Sequence, residues 1–338
     1  MASSGLPIAL CCSGALLPGL HATLASLVRQ LGDRANISLH LFISEIDEAT
    51  RGALKGTITD AGGVGALTFH DPDVSDFANL GGLHGDHMTY LRLKLPDLLP
   101  DAPTILYLDA DLVVHTEAGA MFALPLGDAP LGAIPGEAVG WSFDHDILRK
   151  VGLADSDLCF NAGVLLINAD WWRRNGVLAQ VLEFARDHPE LLRSHDQTLL
   201  NIFFARSFYR MPEKFNQIVS TDTEPVQTVD GIYHFMGSPK PWDPFGFLLH
   251  SNWKIWKQAV APTQFRWIAF LRRYGKFYLR RAWSLRFSYL RVLRRKWTGV
   301  NVPVELSPRP AAEYVQTLEP VIRRGGIDEK PEDNQDQP

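Results

Sequence analysis

Short apolar runs alternate with stretches of helical period along the first part of the chain. Residues 7–12 and 37–43 are apolar runs of strand length, and residues 21–31 between them repeat their apolar side chains at helical spacing. Residues 66–69 form a third candidate strand. Strands that alternate with helices predict an α/β domain with a mainly parallel central sheet.

The same alternation continues through the middle of the chain. Residues 104–108 are a short buried strand, and residues 159–167 are a second apolar run of strand character. Residues 169–186 then carry a long helical pattern, for which Asn168 or Asp170 can serve as the N-cap.

The segment 260–295 has a pattern unlike anything before it. On a helical projection its apolar side chains fall on one side and its Arg and Lys largely on the other, with Arg281 breaking the apolar stripe. The apolar side consists of Trp267, Phe270, Leu271, Tyr274, Phe277, Tyr278, Leu285, Tyr289 and Val292. This pattern predicts a basic amphipathic helical extension.

Three regions follow from these patterns. We expect an α/β domain at residues 1–253, the basic helical extension at 254–304 and a tail at 305–338. After Ile327 the tail is acidic and lacks apolar residues, which predicts disorder at its end.

Composition and charge narrow the class of protein. The chain has 338 residues, 46% hydrophobic and 21% charged, as is typical of a globular protein with a substantial core. The net charge of −5 indicates no nucleic-acid partner, although residues 254–304 contain thirteen Lys and Arg and no acidic residue. Cys11, Cys12 and Cys159 are expected to be buried, reduced thiols. With no secretory signal and no membrane-spanning run recognisable, we expect a cytoplasmic catalytic part.

An acidic pair follows the strand at 104–108. Ligands of open α/β sheets collect at the carboxyl ends of the strands, and this strand delivers Asp109 and Asp111 to that edge. Paired carboxylates suit a hard cation such as Mg²⁺ or Mn²⁺ that also holds phosphate oxygens. A solvated acidic turn is the alternative for an isolated Asp-X-Asp.

Five segments with candidate chemistry follow one another along the chain. They are Tyr90-Leu91-Arg92-Leu93-Lys94, Leu106-Tyr107-Leu108-Asp109-Ala110-Asp111, Phe160-Asn161-Ala162-Gly163-Val164, Asp196-Gln197-Thr198-Leu199-Leu200-Asn201 and Tyr233-His234-Phe235-Met236-Gly237-Ser238-Pro239-Lys240-Pro241-Trp242. In this order they resemble family 8 glycosyltransferases, which include glycogenin and bacterial lipopolysaccharide galactosyltransferases and glucosyltransferases. The resemblance spans roughly residues 7 to 245 and implies a GT-A-type nucleotide-sugar-binding domain. Haloacid-dehalogenase-like phosphatases, which also place Asp-X-Asp after a strand, resemble the chain less well because their motif opens the fold.

The resemblance implies a metal and a donor site. Asp109, Asp111 and His234 would hold Mn²⁺ or Mg²⁺, and Gly237 and Lys240 would bind the diphosphate of a UDP-sugar. Glycine permits close approach of the backbone to a phosphate, and lysine places a point charge on it.

Further donor contacts are implied around residues 89–99, which have a helical pattern. By resemblance, Arg92 braces the diphosphate and the acidic cluster, and Lys94 assists. Ala110, the small residue between the two acids, is included in the donor site. Solvated surface charge is the alternative for Arg92 and Lys94.

The resemblance assigns catalytic roles to Asn161, Asp196 and Gln197, near the transferred sugar. Each has a structural alternative: Asn161 could stabilise a turn at a strand edge, and Asp196 could be a helix N-cap.

Three positions depart from the family pattern. Residues 13–16, Ser-Gly-Ala-Leu, lack the acidic-aromatic pair that relatives place near the nucleotide base, which weakens the inference of uridine selectivity. Thr198 replaces the common second Asp of Asp-Gln-Asp. Glu137 follows Pro-Gly where many relatives have an Asp near the sugar, and no contact is assigned to it.

The implied function is retaining transfer of glucose or galactose from a UDP-sugar to a cell-surface glycan or lipopolysaccharide, that is, to a glycan or lipid-linked acceptor. Attack of the acceptor from the leaving-group face, with the diphosphate as base, is the preferred mechanism, since Gln197 is a poor nucleophile. The alternative is a non-catalytic relative that binds sugar nucleotides or glycans.

The basic segment 260–295 suits contact with an anionic membrane surface, in which its rings enter the interface and its Arg and Lys meet lipid phosphates. The expected location is then cytoplasmic and peripheral on the inner face of the membrane. A helix packed on the catalytic domain with a solvated basic face is the main alternative, and a nucleic-acid site is a third.

Overall fold

The computed structural model describes residues 5–82, 87–221, 223–226 and 230–298. The expectations for the tail at 305–338 and for the last part of the extension, 299–304, lie outside the described residues.

The strands of the described residues are β1 (Leu6–Ser13), β2 (Ile37–Ser44), β3 (Ala66–His70), β4 (Ile105–Leu108), β5 (Leu112–Val114), β6 (Leu131–Ala133), β7 (Pro135–Ala138), β8 (Leu158–Phe160), β9 (Val164–Ile167), β10 (Tyr209–Arg210), β11 (Gln217–Val219) and β12 (Ile232–Phe235). The helices are α1 (Leu17–Gln30), α2 (Glu48–Asp60), α3 (Leu95–Leu98), α4 (His145–Lys150), α5 (Ala169–Arg174), α6 (Val177–Asp187), α7 (Asp196–Phe204), α8 (Gly246–Leu249), α9 (Trp253–Val260), α10 (Trp267–Ser284) and α11 (Arg286–Thr298).

A central sheet organises the domain in the order β10-β6-β9-β4-β1-β2-β3. Every neighbouring pair is parallel except those made by β9, which runs antiparallel to β4 and β6. A small sheet, β11-β12-β5, and the pair β7-β8 lie apart from it in the pairing scheme. The α/β class and the mainly parallel sheet predicted from the sequence are therefore confirmed.

Both faces of the central sheet are buried. Along β1, Ile8 and Leu10 join one apolar cluster with residues of α1, and Ala9 and Cys11 join another with Tyr107 of β4. Strands covered on both faces have continuous apolar sequences rather than alternating ones, which is why β1 and β4 read as unbroken runs. The three cysteines are buried and form no disulfide, as expected.

Two predicted elements are divided. The run at 159–167 forms β8 and β9 on either side of a turn, because β8 pairs with β7 while β9 pairs with β4 and β6. The helix predicted at 169–186 is interrupted at Gly176, which has φ 58°, in the left-handed region that glycine tolerates. Asn168 caps the first part by accepting a hydrogen bond from the Trp171 N–H at 3.2 Å.

The helix predicted at 89–99 is mostly a 3-10 helix, Met88–Lys94, followed by the short α3. Its buried residues, Met88, Tyr90, Leu91, Arg92 and Leu93, place most of it in the core beside the central sheet. This placement decides the environment of Arg92.

The C-terminal helices pack on the domain. Residues of α9 lie in an apolar cluster with β12, and Trp256 donates from its indole N–H to the Pro18 carbonyl at 3.0 Å. The proposed boundary after residue 253 thus falls at the start of a helix that belongs to the folded core. Phe270 and Tyr274 of α10 are buried in the main cluster, so these rings of the predicted apolar stripe face the protein and not a membrane interface. No helix among the described residues is both long and apolar enough to cross a membrane.

Candidate active site

Strand pairing brings the predicted metal ligands together. Asp109 and Asp111 occupy the turn between β4 and β5, and the Asp109 N–H donates to the Gly163 carbonyl at 2.8 Å. β5 pairs antiparallel with β12, so that His234 lies opposite Leu112. Its Nε2 atom is 3.2 Å from Asp111 Oδ1 and 3.8 Å from Asp109 Oδ2. One ligand atom from each of the three side chains lies within 4.8 Å of the others.

The imidazole of His234 is oriented by a hydrogen bond on its far side. His234 Nδ1 lies 3.1 Å from Asn216 Oδ1, and the Asn216 amide N–H donates to Asn161 Oδ1 at 3.0 Å. An amide oxygen only accepts, so this contact assigns the proton to Nδ1 and leaves a lone pair on Nε2, directed at the acids. The arrangement is that of a metal-ligating histidine held by its other nitrogen.

A divalent ion fits this group of side chains. Asp111 Oδ1 is buried and has no hydrogen-bond partner. A buried carboxylate oxygen without a partner is costly, and a cation beside it would remove that cost. Carboxylates with one imidazole nitrogen are a suitable ligand set for Mn²⁺ or Mg²⁺.

Lys240 supplies positive charge on the other side of Asp111. Its Nζ atom is 2.6 Å from Asp111 Oδ2 and also donates to the Phe235 carbonyl. Burial, the largest single effect, raises the pKa of the Asp111 carboxyl, but Lys240 and then His234 together outweigh it and hold that pKa below its ordinary value. Gly237, in the same loop, has φ 76°.

Arg92 lies beneath the acids with a side chain only 5% exposed. Its guanidinium is 3.2 Å from Asp109 Oδ1 and 2.8 Å from Asp196 Oδ2, and it donates to the Ala162 carbonyl. Burial favours loss of its proton, but Asp109 and Asp196 outweigh burial and raise the pKa of Arg92. It also lies over the Tyr107 ring at 4.5 Å. Arg92 is therefore an internal cation of the site and not a solvated surface charge.

Two amides are joined at the sugar end of the predicted site. Gln197 Oε1 accepts from Asn161 Nδ2 at 3.0 Å and from the Ala162 N–H at 3.2 Å. Asn161 Oδ1 accepts from the Gly163 N–H at 2.9 Å. Through Asn216, these amides connect to His234, so the amides and the metal group form one network.

A cavity of about 480 Å³ collects most of the predicted residues. The predicted residues that line it are Arg92, Asp109, Asp111, Asn161, Asp196, Gln197, His234, Gly237 and Lys240. Lys94 does not reach it, because its Nζ atom pairs with Asp76 at 2.7 Å. Ala110 is buried in the main core cluster and is absent from the lining. The donor contacts expected of Lys94 and Ala110 side chains are thus not supported.

The departures from the family pattern have local explanations. Thr198 is fully buried and donates to Asp144 Oδ2 at 2.7 Å, so this threonine stabilises a loop contact. Glu137 does not line the cavity. Asp196 is the first residue of α7 and His195 is the N-cap, so the N-cap alternative for Asp196 does not hold.

Sequence reasoning missed Asn216 and Tyr107. Asn216 lies in a short loop without periodicity, and no local pattern distinguishes it. Tyr107 donates from its hydroxyl to Asp109 Oδ1. Its position two residues before Asp109 on an extended chain was a usable signal, because residues i and i+2 share a face.

Comparison with known proteins identifies the family. Residues 7–245 match the family model described as Glycosyl transferase family 8. The chain belongs to this family. The match covers every segment that lines the cavity from β1 to the loop bearing Lys240.

Among relatives of this family 8 protein, the probable glycosyl transferase Gly of Streptococcus gordonii is 29% identical over 164 residues, 47% of this chain and 22% of the relative. The lipopolysaccharide 1,3-galactosyltransferase of Salmonella typhimurium is 30% identical over 192 residues, 52% of this chain and 55% of the relative. The chain therefore spans about half or less of the length of these two proteins.

A solved structure of similar fold is the galactosyltransferase LgtC in complex with donor and acceptor sugar analogues. It is 25% identical with a TM-score of 0.64, and the alignment covers 79% of this chain and 100% of that one. The fold is accordingly of the GT-A type, as the sequence predicted.

Proposed function

We propose that this family 8 protein is a retaining hexosyltransferase that moves glucose or galactose from a UDP-sugar to a lipopolysaccharide or other cell-surface glycan acceptor in the cytoplasm. The observation that carries the proposal is the convergence of Asp109, Asp111 and His234 at one end of a cavity of about 480 Å³. The Salmonella relative named as a lipopolysaccharide galactosyltransferase supports the acceptor class.

The charged residues of the site would act on the donor diphosphate. Mn²⁺ or Mg²⁺ held by the three ligands would neutralise charge that develops on the leaving diphosphate. Lys240 brings a further positive charge beside Asp111, and Gly237 leaves room for a phosphate at the backbone. Arg92 fixes Asp109 in position from below.

The amides would orient the transferred sugar. Asn161 donates to Gln197 Oε1 and so holds the Gln197 side chain in the cavity lining, where it would contact the sugar. Asp196 is buried against Arg92, and burial, opposed by Arg92, raises the pKa of its carboxyl. A carboxylate engaged in this way is a poor nucleophile, which favours front-face attack with the departing diphosphate as base. A covalent sugar adduct on Asp196 would contradict this mechanism.

The deciding experiment is a panel of sugar nucleotides assayed for metal-dependent hydrolysis and transfer. We expect Mn²⁺-dependent release of UDP from UDP-glucose or UDP-galactose, lost in Asp109→Asn and retained in Asp101→Asn, an exposed control. Nucleotide binding without turnover would instead favour the non-catalytic relative. Release of phosphate from simple esters, lost in Asp109→Asn, would favour the phosphatase alternative.

We also propose peripheral contact with an anionic membrane surface through α10 and α11. The buried stripe is not available for it, but a second set of apolar side chains is exposed: Ile268, Leu279, Trp283, Phe287, Leu290 and Trp297. Basic residues are interleaved with this set and acidic ones are absent from 254 to 298, which complements anionic lipid headgroups. We expect co-sedimentation with anionic but not zwitterionic vesicles, reduced in a Trp283→Ser, Trp297→Ser variant. Trp141→Ser, an exposed Trp outside these helices, is the control, and equal pelleting of both variants would contradict the proposal.

A further inference from the structure

Helix α10 contributes to the wall of the donor cavity. Phe277, Tyr278 and Arg281 line the same cavity as Asp111 and Lys240. The helix that reads in sequence as an appendage is thus a structural part of the candidate active site.

Arg281, which interrupts the apolar stripe of α10, faces Asp243. Its guanidinium makes two contacts to that carboxylate, at 2.5 and 2.9 Å, and the Asp243 side chain is 1% exposed. Asp243 Oδ2 also accepts the backbone N–H of Lys240 at 2.7 Å. One buried carboxylate therefore ties α10 to the loop that carries Lys240, in a bidentate geometry that favours arginine.

The ring-bearing side of α10 lies over the turn that follows β1. Tyr274 donates from its hydroxyl to the Glu45 carbonyl at 2.6 Å, and that hydroxyl occupies the space that a Cβ on Gly14 would need. Tyr278 is held by a hydrogen bond from its hydroxyl to the Trp242 carbonyl. The helix is therefore fixed against both the β1 turn and the Lys240 loop.

β1 pairs with β2 on one side and with β4 on the other, so the strand order reverses at β1. In open α/β sheets, ligands bind at the carboxyl end of the strands at such a point, and we therefore expect the nucleotide at the turn after β1. The turn lines the cavity with Ser13, Ala15 and Leu16, which offer neither a ring nor a charge. A nucleobase in such a cavity gains most from a flat aromatic surface. The described lining residues include the aromatic rings of Phe277 and Tyr278, which follow about one helical turn after Tyr274, the residue that lies against Gly14.

We propose that α10 completes the donor site: Phe277 and Tyr278 pack against the nucleoside, and Arg281 is a positioning residue that holds the Lys240 loop through Asp243. This inference rests on the proposed function, since it takes a nucleoside-diphosphate sugar as the ligand. Binding of the nucleoside then depends on Phe277 and Tyr278, and binding of the diphosphate depends on Arg281. Substitutions in the same helix can therefore test the two contributions separately.

The first test compares two ligands by calorimetry in the presence of Mn²⁺. In Phe277→Ala we expect uridine diphosphate to bind about tenfold more weakly, the effect of a lost base–ring contact, and inorganic pyrophosphate to bind unchanged. Leu279→Ala, two residues further along α10 at a side chain 72% exposed, should leave both ligands unaffected. If Phe277→Ala binds uridine diphosphate as the wild type does, or loses both ligands equally, the nucleoside contact is wrong.

The second test concerns Arg281. We expect Arg281→Ala to weaken uridine diphosphate and pyrophosphate by the same factor, about tenfold, while Arg280→Ala, an exposed neighbour of equal charge, does not. Because Arg281 acts through the Lys240 loop, its effect should disappear in a Lys240→Ala background, whereas general loss of structure would add to that of Lys240→Ala. Additive losses would refute the positioning role.

The two proposals can fail separately. A wild-type protein that binds neither uridine diphosphate nor pyrophosphate with Mn²⁺ contradicts the proposed function itself. A wild-type protein that binds both, together with a Phe277→Ala variant that keeps both, contradicts only the role of α10.

Discussion

The Nδ1 atom of His234 lies 3.1 Å from the Oδ1 atom of Asn216. This contact determines which imidazole nitrogen faces Asp109 and Asp111. Asn216 in turn donates to Asn161, so the ring of His234 and the amide that we assign to the sugar share one buried partner. Displacement of Asn216 should therefore affect both metal binding and sugar transfer.

Replacing Asn216 by Ala removes the acceptor for His234 Nδ1 and frees the ring to rotate. We expect Mn²⁺ affinity to fall by about 10- to 100-fold, the usual effect of losing a hydrogen bond behind a ligand. Isothermal calorimetry with Mn²⁺ measures it. Asn175→Ala, which also loses an amide hydrogen bond but lies outside the cavity lining, serves as the control. Equal Mn²⁺ affinity in wild type and Asn216→Ala would show that the ring does not need this partner.

Gly163→Ala should disrupt the metal site directly. A Cβ at this position would lie 2.3 Å from His234 Cε1 and 2.9 Å from Asp109 Oδ2, so one of the two side chains must move. We expect at least about 100-fold loss of transferase activity, because misplacement by about 1 Å is enough for such a loss. Gly52→Ala in α2 is the control, since an added Cβ there meets nothing within 4 Å. An active Gly163→Ala enzyme would mean that His234 is not required close to Asp109.

Lys240→Met removes the ammonium that pairs with Asp111. We expect the KM for the donor to rise about tenfold or more, because the diphosphate loses a charge-assisted contact worth roughly 1.5 kcal/mol or more. Steady-state kinetics with UDP-glucose and UDP-galactose measure the change. Lys254→Met, at an exposed position of α9, should have no effect. A variant with unchanged KM and kcat would remove Lys240 from the donor site.

Arg92→Lys tests whether the buried cation must be planar. A lysine cannot reproduce the contacts to Asp109, Asp196 and the Ala162 carbonyl together, since these need the fork of a guanidinium. We expect a loss of about 3 kcal/mol in the free energy of unfolding, as for other broken buried ion pairs. Urea denaturation measures it, with exposed Arg186→Lys as the control. Wild-type stability in Arg92→Lys would contradict this account.

The burial of His21 should make the free energy of unfolding depend on pH. The residue is buried, its Nδ1 atom lies 2.8 Å from Thr57 Oγ1, and burial, followed by Arg266, lowers its pKa to about 3. The unfolded chain binds a proton at this residue below about pH 6.5, whereas the folded chain does not until about pH 3. Stability is therefore lost as the pH falls through this window, by up to roughly 1.4 kcal/mol per pH unit.

His21→Gln should remove that dependence. Between about pH 7 and about pH 5, we expect the wild type to lose about 2 kcal/mol more free energy of unfolding than the variant. Urea denaturation at the two pH values measures it. Between about pH 7 and about pH 8 the difference between the two proteins should stay constant. An equal loss in both proteins on acidification would assign the acid sensitivity to other groups.

Local pattern was enough to predict much of the fold. The spacing of apolar residues in β1, α1 and β2 reflects local secondary structure and the burial of both sheet faces. These elements can therefore be recognised from the sequence. The acids after β4 were found for the same reason, because the end of a buried strand is a local feature.

Other predictions failed where tertiary contacts override local pattern. The run 159–167 looked like one strand, but its two ends pair with different sheets and the middle becomes a turn. Lys94 lies only two residues after Arg92. Arg92 is nevertheless buried under Asp109, whereas Lys94 pairs with Asp76. Which of two nearby cations enters a site depends on the surfaces packed around them.

The sequence by itself determined the α/β class, the acidic pair and the membership of residues 7–245 in family 8, because these depend on periodicity and on ordered segments along the chain. Only the tertiary structure decided that His234 faces the acids, that Asn216 fixes its tautomer and that Arg281 of α10 holds the Lys240 loop. Those relationships join residues that are distant in the chain, through strand pairing and helix packing whose geometry no local stretch of sequence specifies.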